Sequence, residues 1–191
     1  GDGAFYGCEN LKTVTNNSSL NIVAGSTDNG YVAYYADKVI NADGSSTSII
    51  GDYKFTSANG VNTLVEYLGD GDDITLPENY NGENYVIGAN VFQDNTAITG
   101  VTIPNNVTSI GNYAFYGCSG LTSVTIPDAV TSIGGFAFFD CRGLTSVTIG
   151  NGVTDISGYA FVRCSKITEV KWMSKKCSNF SSSPFSSSLS S

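Results

Sequence analysis

The chain has 191 residues, nine of them Lys or Arg and 17 Asp or Glu, so its net charge is −8, and it contains no histidine. Without an imidazole there is no Ser-His-Asp triad, no Cys-His nucleophile pair and no histidine-ligated metal site. A net negative chain repels phosphate backbones, which argues against nucleic acid as a partner, and no apolar run approaches the ~18–20 residues that a membrane-spanning helix needs.

The N-terminal segment, 1–16, carries part of a repeated pattern. GDGAFYGC at 1–8 matches GNYAFYGC at 111–118 at six of eight positions, and Leu11 and Val14 then match Leu121 and Val124. We therefore interpret residues 1–16 as a partial repeat, in a fragment of a longer protein that begins in the middle of a repeat.

Residues 17–73 depart from the pattern and are predicted to form an irregular segment. The block at 29–36 is interpreted as a degenerate form of the AF block. Residues 52–56 and 63–67 alternate between apolar and polar side chains, as strands do, and Asn59-Gly60 between them is a strong signal for a tight hairpin turn. A β-hairpin island at about 52–68 is therefore predicted.

Regular repeats are predicted from 74 to 172. Three segments share the pattern LxxVxIPxxVxxIGxxAFxxC, and Cys118, Cys141 and Cys164 fix its period at 23 residues. Val124-x-Ile126 has strand spacing, whereas Val130 and Ile133 are three apart, which suits a turn or short 3₁₀ return. An earlier IGxxAF block at 87–92 follows its strand with four extra residues, which the spacing assigns to the loop at 78–82.

The serine-rich end, 173–191, is predicted to be a degenerate C-terminal coil. With one residue inserted near 173–176, four residues coincide with the columns of Val153, Ile156, Ala160 and Phe161, namely Cys177, Phe180, Pro184 and Phe185. The alternative is a disordered low-complexity tail.

Stacking such units buries apolar columns that one unit cannot bury alone. The predicted fold is an α/β-type repeat solenoid, mostly β with 3₁₀ or irregular returns, and residues 1–191 are taken as a single domain. The pattern resembles the leucine-rich repeat, and the proline after the strand with the IGxxAFxxC block is similar to the bacterial BspA-like variant. The resemblance implies a right-handed array of coils of about 23 residues with a β-hairpin insertion.

The cysteines Cys8, Cys118, Cys141 and Cys164 share one repeat position, three residues after the phenylalanine. A small and often buried side chain suits a structural ladder of free thiols, in preference to a disulfide, metal or redox site. Cys177 lies outside this column and is predicted to be the more reactive thiol.

Two groups of acidic residues are candidates for a metal-binding or a catalytic site. The cluster at 69–73 contains the oxygen ligands that calcium prefers, but it lacks the EF-hand spacing and is interpreted as a solvated turn. Asp128, Asp140 and Asp155 fall on different sides of the coil, so no pair of catalytic carboxylates is expected. The sequence therefore predicts no enzyme and no catalytic, cofactor-binding or metal-binding residues.

Two surfaces are candidates for binding. Aromatic residues at Tyr113, Phe136 and Tyr159, with Tyr116 and Phe139 beside them, form either a stripe for sugars or proteins or a stack between coils. The outward strand positions form a hydroxyl-rich face, which together with the hairpin is where we expect a ligand. The candidate face comprises Thr102, Ser123, Thr125, Ser146, Thr148, Glu169 and Lys171.

The resemblance implies a secreted or cell-surface bacterial protein that binds a protein ligand, such as a host matrix or cell-surface component. The first hypothesis is therefore a non-enzymatic binding or adhesion module. The alternatives are a passive structural array that spaces or displays another domain, and a carbohydrate-binding module.

Overall fold

The structure is a computed structural model, and it describes residues 7–20, 22–27, 33–180 and 184–185. The chain divides into two compact units, Gly1–Leu68 and Gly69–Ser191. Part of the degenerate AF block at 29–36 and most of the serine-rich end lie outside the described residues. All the regular elements in the described part are β-strands.

The first unit contains a five-stranded sheet in which consecutive strands are neighbours. Its first pair of strands is parallel and the other three pairs are antiparallel. Its small core includes Ile22, Ala24 and Val39, with Leu11 packed against them. The strands are β1 (Thr13–Asn16), β2 (Lys38–Asn41), β3 (Ser46–Ile50), β4 (Tyr53–Ala58) and β5 (Val61–Tyr67).

Strands β4 and β5 form the predicted hairpin, with Asn59 and Gly60 at its turn. Both turn residues have positive φ, 52° and 76°, as the type of turn that suits the twist of a hairpin requires. Glycine adopts this backbone without strain, and asparagine tolerates it better than other residues do. The predicted hairpin insertion is therefore confirmed.

The second unit consists of stacked coils with short parallel strands. The strands are β6 (Asp73–Thr75), β7 (Tyr85–Ile87), β8 (Gly100–Thr102), β9 (Val107–Ile110), β10 (Ser123–Ile126), β11 (Ser132–Ile133), β12 (Ser146–Ile149), β13 (Asp155–Ile156), β14 (Glu169–Trp172) and β15 (Asn179–Phe180). The main strands pair as β10–β12–β14, with Ser123 opposite Ser146 and Ser146 opposite Glu169, and β6 pairs with β8. Equivalent repeat positions thus face one another, and the predicted coil period is confirmed.

The return of each coil differs from the prediction. The segment expected to be a turn or 3₁₀ helix contains a second short strand, and these strands pair as β7–β9–β11–β13–β15. In β11 only Ser132 and Ile133 of the return are paired, whereas the equivalent strand β9 spans Val107–Ile110. Backbone groups of the return are thus satisfied by the neighbouring coils.

The repeat columns form the core of the second unit. Phe115, Phe138 and Phe161 are fully buried, and their rings stack with centroids 5.0 Å apart. The predicted insertion lies between β6 and β7. Ile74 pairs with Val101 and Ile87 pairs with Ile110, and the first two residues are further apart in the sequence than the second two, so the extra residues lie between these strands.

The C-terminal coil continues the stack in a register shifted by one residue. Phe180 pairs with Ile156 in the parallel sheet, and the ring of Phe185 stacks on Phe161 at 4.9 Å. The amide of Phe161 donates to the Pro184 carbonyl. All three contacts follow the register that one inserted residue near 173–176 requires.

Candidate functional site

The sheet face is the outward surface of β8, β10, β12 and β14. Side chains alternate along each strand, so that Val124 and Ile126 are buried while Ser123 and Thr125 are exposed. The seven predicted residues all reach the surface and make up this face, namely Thr102, Ser123, Thr125, Ser146, Thr148, Glu169 and Lys171.

The parallel register arranges the sheet face in rows. One row runs from Ser123 through Ser146 to Glu169, and the next from Thr125 through Thr148 to Lys171. Glu169 and Lys171 form an exposed ion pair, with Oε1 and Nζ 3.6 Å apart, and such pairs add little stability. The face therefore presents hydroxyls at its centre and an opposite-charge pair at its β14 edge.

The hydroxyls of the sheet face make no hydrogen bond to any other described residue. This contrasts with two columns of threonines elsewhere in the coil, whose hydroxyls donate to the backbone of the preceding coil. Thr122 donates to the Thr99 carbonyl at 3.1 Å, and Thr131 donates to the Thr108 carbonyl at 3.2 Å. Threonine hydroxyls thus bond one coil to the next in these two columns, whereas the threonine hydroxyls of the sheet face are available to a ligand.

Two shallow depressions of about 420 Å³ each follow the sheet face. One is lined by Thr102, Ser123 and Asp73, and the other lies where the strands end, against Thr148, Asp128 and other residues. Thr125 lines both, so the depressions are adjacent. A ligand on the sheet face would therefore meet hydroxyls bordered by carboxylates.

The predicted aromatic columns are stacked and remain accessible. Tyr113 and Tyr159 are 38% and 44% exposed, and the ring of Phe136 lies between them. All three residues have a positive φ of 58–63°, as does Asn90 one coil earlier. This backbone region costs a bulky residue roughly 1–2 kcal/mol, so three aromatics are held where asparagine or glycine would be less strained.

The cysteine ladder is buried in the second unit only. Cys118, Cys141 and Cys164 are fully buried, and each Sγ donates to a backbone carbonyl at 3.0–3.1 Å. Burial raises the pKa of Cys118 to about 12, and a hydrogen bond with Cys164 together with burial raises the pKa of Cys141. These thiols donate hydrogen bonds from one coil to another within the core.

The other two cysteines differ from the buried ladder. Cys8 was expected in the buried column but is exposed. Cys177 is half-buried, less than the three ladder thiols, and burial and the charge of Asp155 raise its pKa; its greater reactivity than the ladder thiols stays a prediction. Cys8 is therefore more accessible than Cys177.

The three carboxylates considered as catalytic candidates each form a hydrogen bond or an ion pair with another residue. Asp128 accepts from the Asn151 amide, and Asp140 pairs with Arg142 at 2.9 Å. Asp155 accepts from Asn179 and from the neighbouring threonine hydroxyl, and these bonds lower its pKa. Each carboxylate therefore has a structural role, and those of Asp128 and Asp155 link neighbouring coils.

In the acidic cluster at 69–73, Asp72 joins two coils. Its carbonyl accepts from the amides of Thr99 and Gly100, while its carboxylate accepts from the Asp73 amide. Across the described ranges, no three His, Cys, Asp or Glu side chains are grouped as a metal ion would need. Nor does the described part of the chain include a helix suited to crossing a membrane.

Comparison with known proteins agrees with this architecture. The model of the BspA type leucine rich repeat region matches residues 1–65 and 85–191, in six copies. The chain belongs to this family. Its members are repeat scaffolds, not a known class of enzyme, and the fold is one that binds other molecules. No curated protein is significantly similar in sequence.

Solved structures of bacterial leucine-rich repeat proteins are similar to this chain to different degrees. A leucine rich cell surface protein from Faecalibacterium prausnitzii is 27% identical with a TM-score of 0.53, and the match covers 75% of this chain and 53% of that one. The chain thus spans about half the length of that relative. The T. pallidum leucine rich repeat protein is 16% identical, with a TM-score of 0.49, over 70% of this chain and 85% of that one.

Proposed function

We propose that the chain is a non-enzymatic binding module of a secreted or cell-surface protein, and that the sheet face contacts a protein ligand in adhesion to host or other cells. The observation that carries the proposal is the set of hydroxyls on the sheet face that bond to no other described residue. Such groups retain their full capacity for a partner, and the repeat register arranges them in rows.

The cell-surface part of the proposal is supported by the family and by the Faecalibacterium relative, which is itself described as a cell surface protein. The protein-ligand part is supported by the form of the surface. Its depressions are shallow and extended, as for a macromolecular partner, whereas small-molecule sites bury most of their ligand in a deep cleft.

The test is binding of the full chain to a panel of immobilised extracellular-matrix proteins and to a glycan array. We expect saturable binding to at least one protein and its loss in the double variant Ser123→Lys/Thr125→Lys. Ser119→Lys is the matched control, because Ser119 is exposed but lies outside the strands of the sheet face.

Each other outcome contradicts the proposal. Binding that survives the double variant would place the contact elsewhere. Binding to glycans alone would identify a carbohydrate-binding module, and silence on both panels would favour a passive spacer.

A further inference from the structure

A second accessible surface of the second unit consists of two columns of aromatic rings, which we call the aromatic ladder: Tyr113, Phe136 and Tyr159 in one column, Tyr116 and Phe139 in the other. Within each column the ring centroids are 5.1–5.3 Å apart. The columns touch each other, with centroids of Phe136 and Phe139 5.4 Å apart. The ladder belongs to the turns of the AF blocks and not to the strands of the sheet face.

The central ring of the aromatic ladder, that of Phe136, presents its edge and not its faces. Phe136 lies between Tyr113 and Tyr159 with interplanar angles of 2° and 23°, so both of its faces are covered by rings. A sugar ring that stacks on an aromatic side chain needs a free ring face. The edge of an aromatic ring carries the positive part of its quadrupole and attracts oxygen atoms that bear negative charge.

An arginine pair lies at one end of the aromatic ladder. The guanidinium carbon of Arg163 lies 5.4 Å from the centre of the Phe139 ring. Arg142 and Asp140 form an ion pair, and both residues, together with Arg163 and Ser165, line a depression of about 380 Å³. Arg163 is exposed and has no carboxylate partner in the described part of the chain.

The charge distribution along the sequence favours an acidic partner here. Residues 142–191 contain six of the nine basic side chains and two of the 17 acidic ones, whereas residues 1–141 contain three basic and fifteen acidic. The arginine pair therefore belongs to the basic part of an otherwise acidic chain. Tyrosine, phenylalanine and arginine are also the residue types that are enriched in protein interfaces.

We propose that the aromatic ladder and Arg163 form a second docking surface, whose ligand is an acidic segment of a partner protein. A carboxylate of the segment binds the Arg163 guanidinium through paired hydrogen bonds. Its apolar side chains pack against the ring edges, and its backbone carbonyls reach the tyrosine hydroxyls. An acidic peptide fits better than an acidic glycan because both faces of the central Phe136 ring are covered. This surface is separate from the sheet face and does not require it to bind.

The test is fluorescence anisotropy of the full chain with a labelled peptide of alternating glutamate and leucine at low salt. We expect Arg163→Glu to weaken binding about tenfold. Lys171→Glu makes the same charge change on the sheet face, and we expect it to weaken binding less than about twofold. Tyr159→Asn should weaken binding several-fold and leave the chain folded, since asparagine already occupies this column at Asn90.

Several results would overturn the proposal. An equal loss of affinity in Arg163→Glu and Lys171→Glu would show that binding depends on net charge and not on the position of Arg163. Unchanged affinity in Tyr159→Asn with a native melting curve would remove the aromatic ladder from the site. Tighter binding of polygalacturonate or heparin than of the peptide, abolished by Arg163→Glu, would make this an anionic-glycan surface. Absence of peptide binding at millimolar concentration would also overturn it.

Discussion

Phe138 lies at the centre of the phenylalanine column in the core. Its side chain is fully buried, and its ring is stacked against Phe115 on one side and Phe161 on the other. We predict that Phe138→Ala lowers the free energy of unfolding by about 3–5 kcal/mol, because it leaves a cavity and ends both stacks. Urea denaturation followed by circular dichroism measures this loss.

The matched control for Phe138 is Tyr159→Ala, which removes a ring two residues before the phenylalanine position of its own coil. Tyr159 is 44% exposed and stacks on Phe136, so about 1 kcal/mol is expected. If Phe138→Ala leaves the urea midpoint unchanged, or costs no more than Tyr159→Ala, the column is not the centre of the core.

The buried thiols give the chain a predicted sensitivity to alkaline pH. The pKa of Cys118 rises from an ordinary value of 9.0 to about 12 through burial, and the pKa of Cys141 is also raised. Above pH 9 the unfolded chain releases these protons while the folded chain retains them. We therefore expect the contribution of these buried thiols to the free energy of unfolding to be fully present below pH 9. Between pH 9 and 12 this contribution is lost, by at most about 1.4 kcal/mol per pH unit for each thiol.

Urea midpoints measured from pH 7 to 11 check the alkaline prediction. Cys118→Ala should reduce the fall in stability above pH 9, whereas Cys8→Ala, which removes an exposed thiol, should retain it. A fall of the same size in Cys118→Ala and the original chain would show that the alkaline loss comes from other groups.

Residue identity alone did not predict the backbone of the aromatic ladder. The spacing predicted that Tyr113, Phe136 and Tyr159 share a column, but a bulky residue carries no signal for positive φ, which sequence patterns associate with glycine and asparagine. Asn90 and Gly3, which share this column in the sequence, were the signals available. The accessible ring edges could likewise not be derived without the stacking geometry.

At the scale of the element, the sequence predicted the strands better than the returns. Val124 and Ile126 alternate with polar residues, which is the mark of a strand with one buried face. Each return strand pairs only a few residues, such as Ser132 and Ile133, so no alternation is long enough to detect. The return strands exist because the coils above and below supply hydrogen-bond partners.

The threonine columns were also missed, although they recur at the repeat period. Thr99, Thr122, Thr145 and Thr168 occupy one column, and each hydroxyl donates to a carbonyl of the coil before it. Their recurrence in every coil was the signal that could have identified them.

We predict that Thr131→Val costs about 1 kcal/mol of stability, because its hydroxyl donates to the Thr108 carbonyl at 3.2 Å. Thr125→Val is the control: Thr125 lies on the sheet face, where its hydroxyl bonds to no other described residue, and this variant should be nearly neutral. Differential scanning calorimetry of both variants compares them. Equal melting temperatures would mean that the threonine hydrogen bonds between coils only replace hydrogen bonds to water and add no stability.

At the scale of the whole molecule, the repeat period determined most of what could be predicted. Cysteine and phenylalanine columns that recur once in every coil led to the solenoid, its family and the sheet face. The segment at 17–73 has no complete set of columns, so only its hairpin, with alternating strands and the Asn59-Gly60 turn, was predicted from the sequence. Neither the repeat columns nor the hairpin turn predicts the ligand, because the repeated positions are constrained by stacking and not by one partner.

Stacking also predicts a gradient of stability within the second unit. Strand β12 is paired on both sides, with β10 and β14, whereas β14 pairs with β12 alone among the described strands. In a repeat array the outer coils open more readily than the inner ones. Hydrogen–deuterium exchange with mass spectrometry should therefore show amides of Ser146–Ile149 exchanging at least about tenfold more slowly than those of Glu169–Trp172.

The same exchange measurement tests how far one coil depends on the next. In Phe138→Ala we expect faster exchange in the coils that contain Phe115 and Phe161 as well as in the mutated coil, since their rings lose a stacking partner. The five-stranded sheet of β1–β5 in the first unit serves as the internal reference. Faster exchange confined to the coil of Phe138 would show that coils open independently, and equal rates in β12 and β14 would contradict the stability gradient.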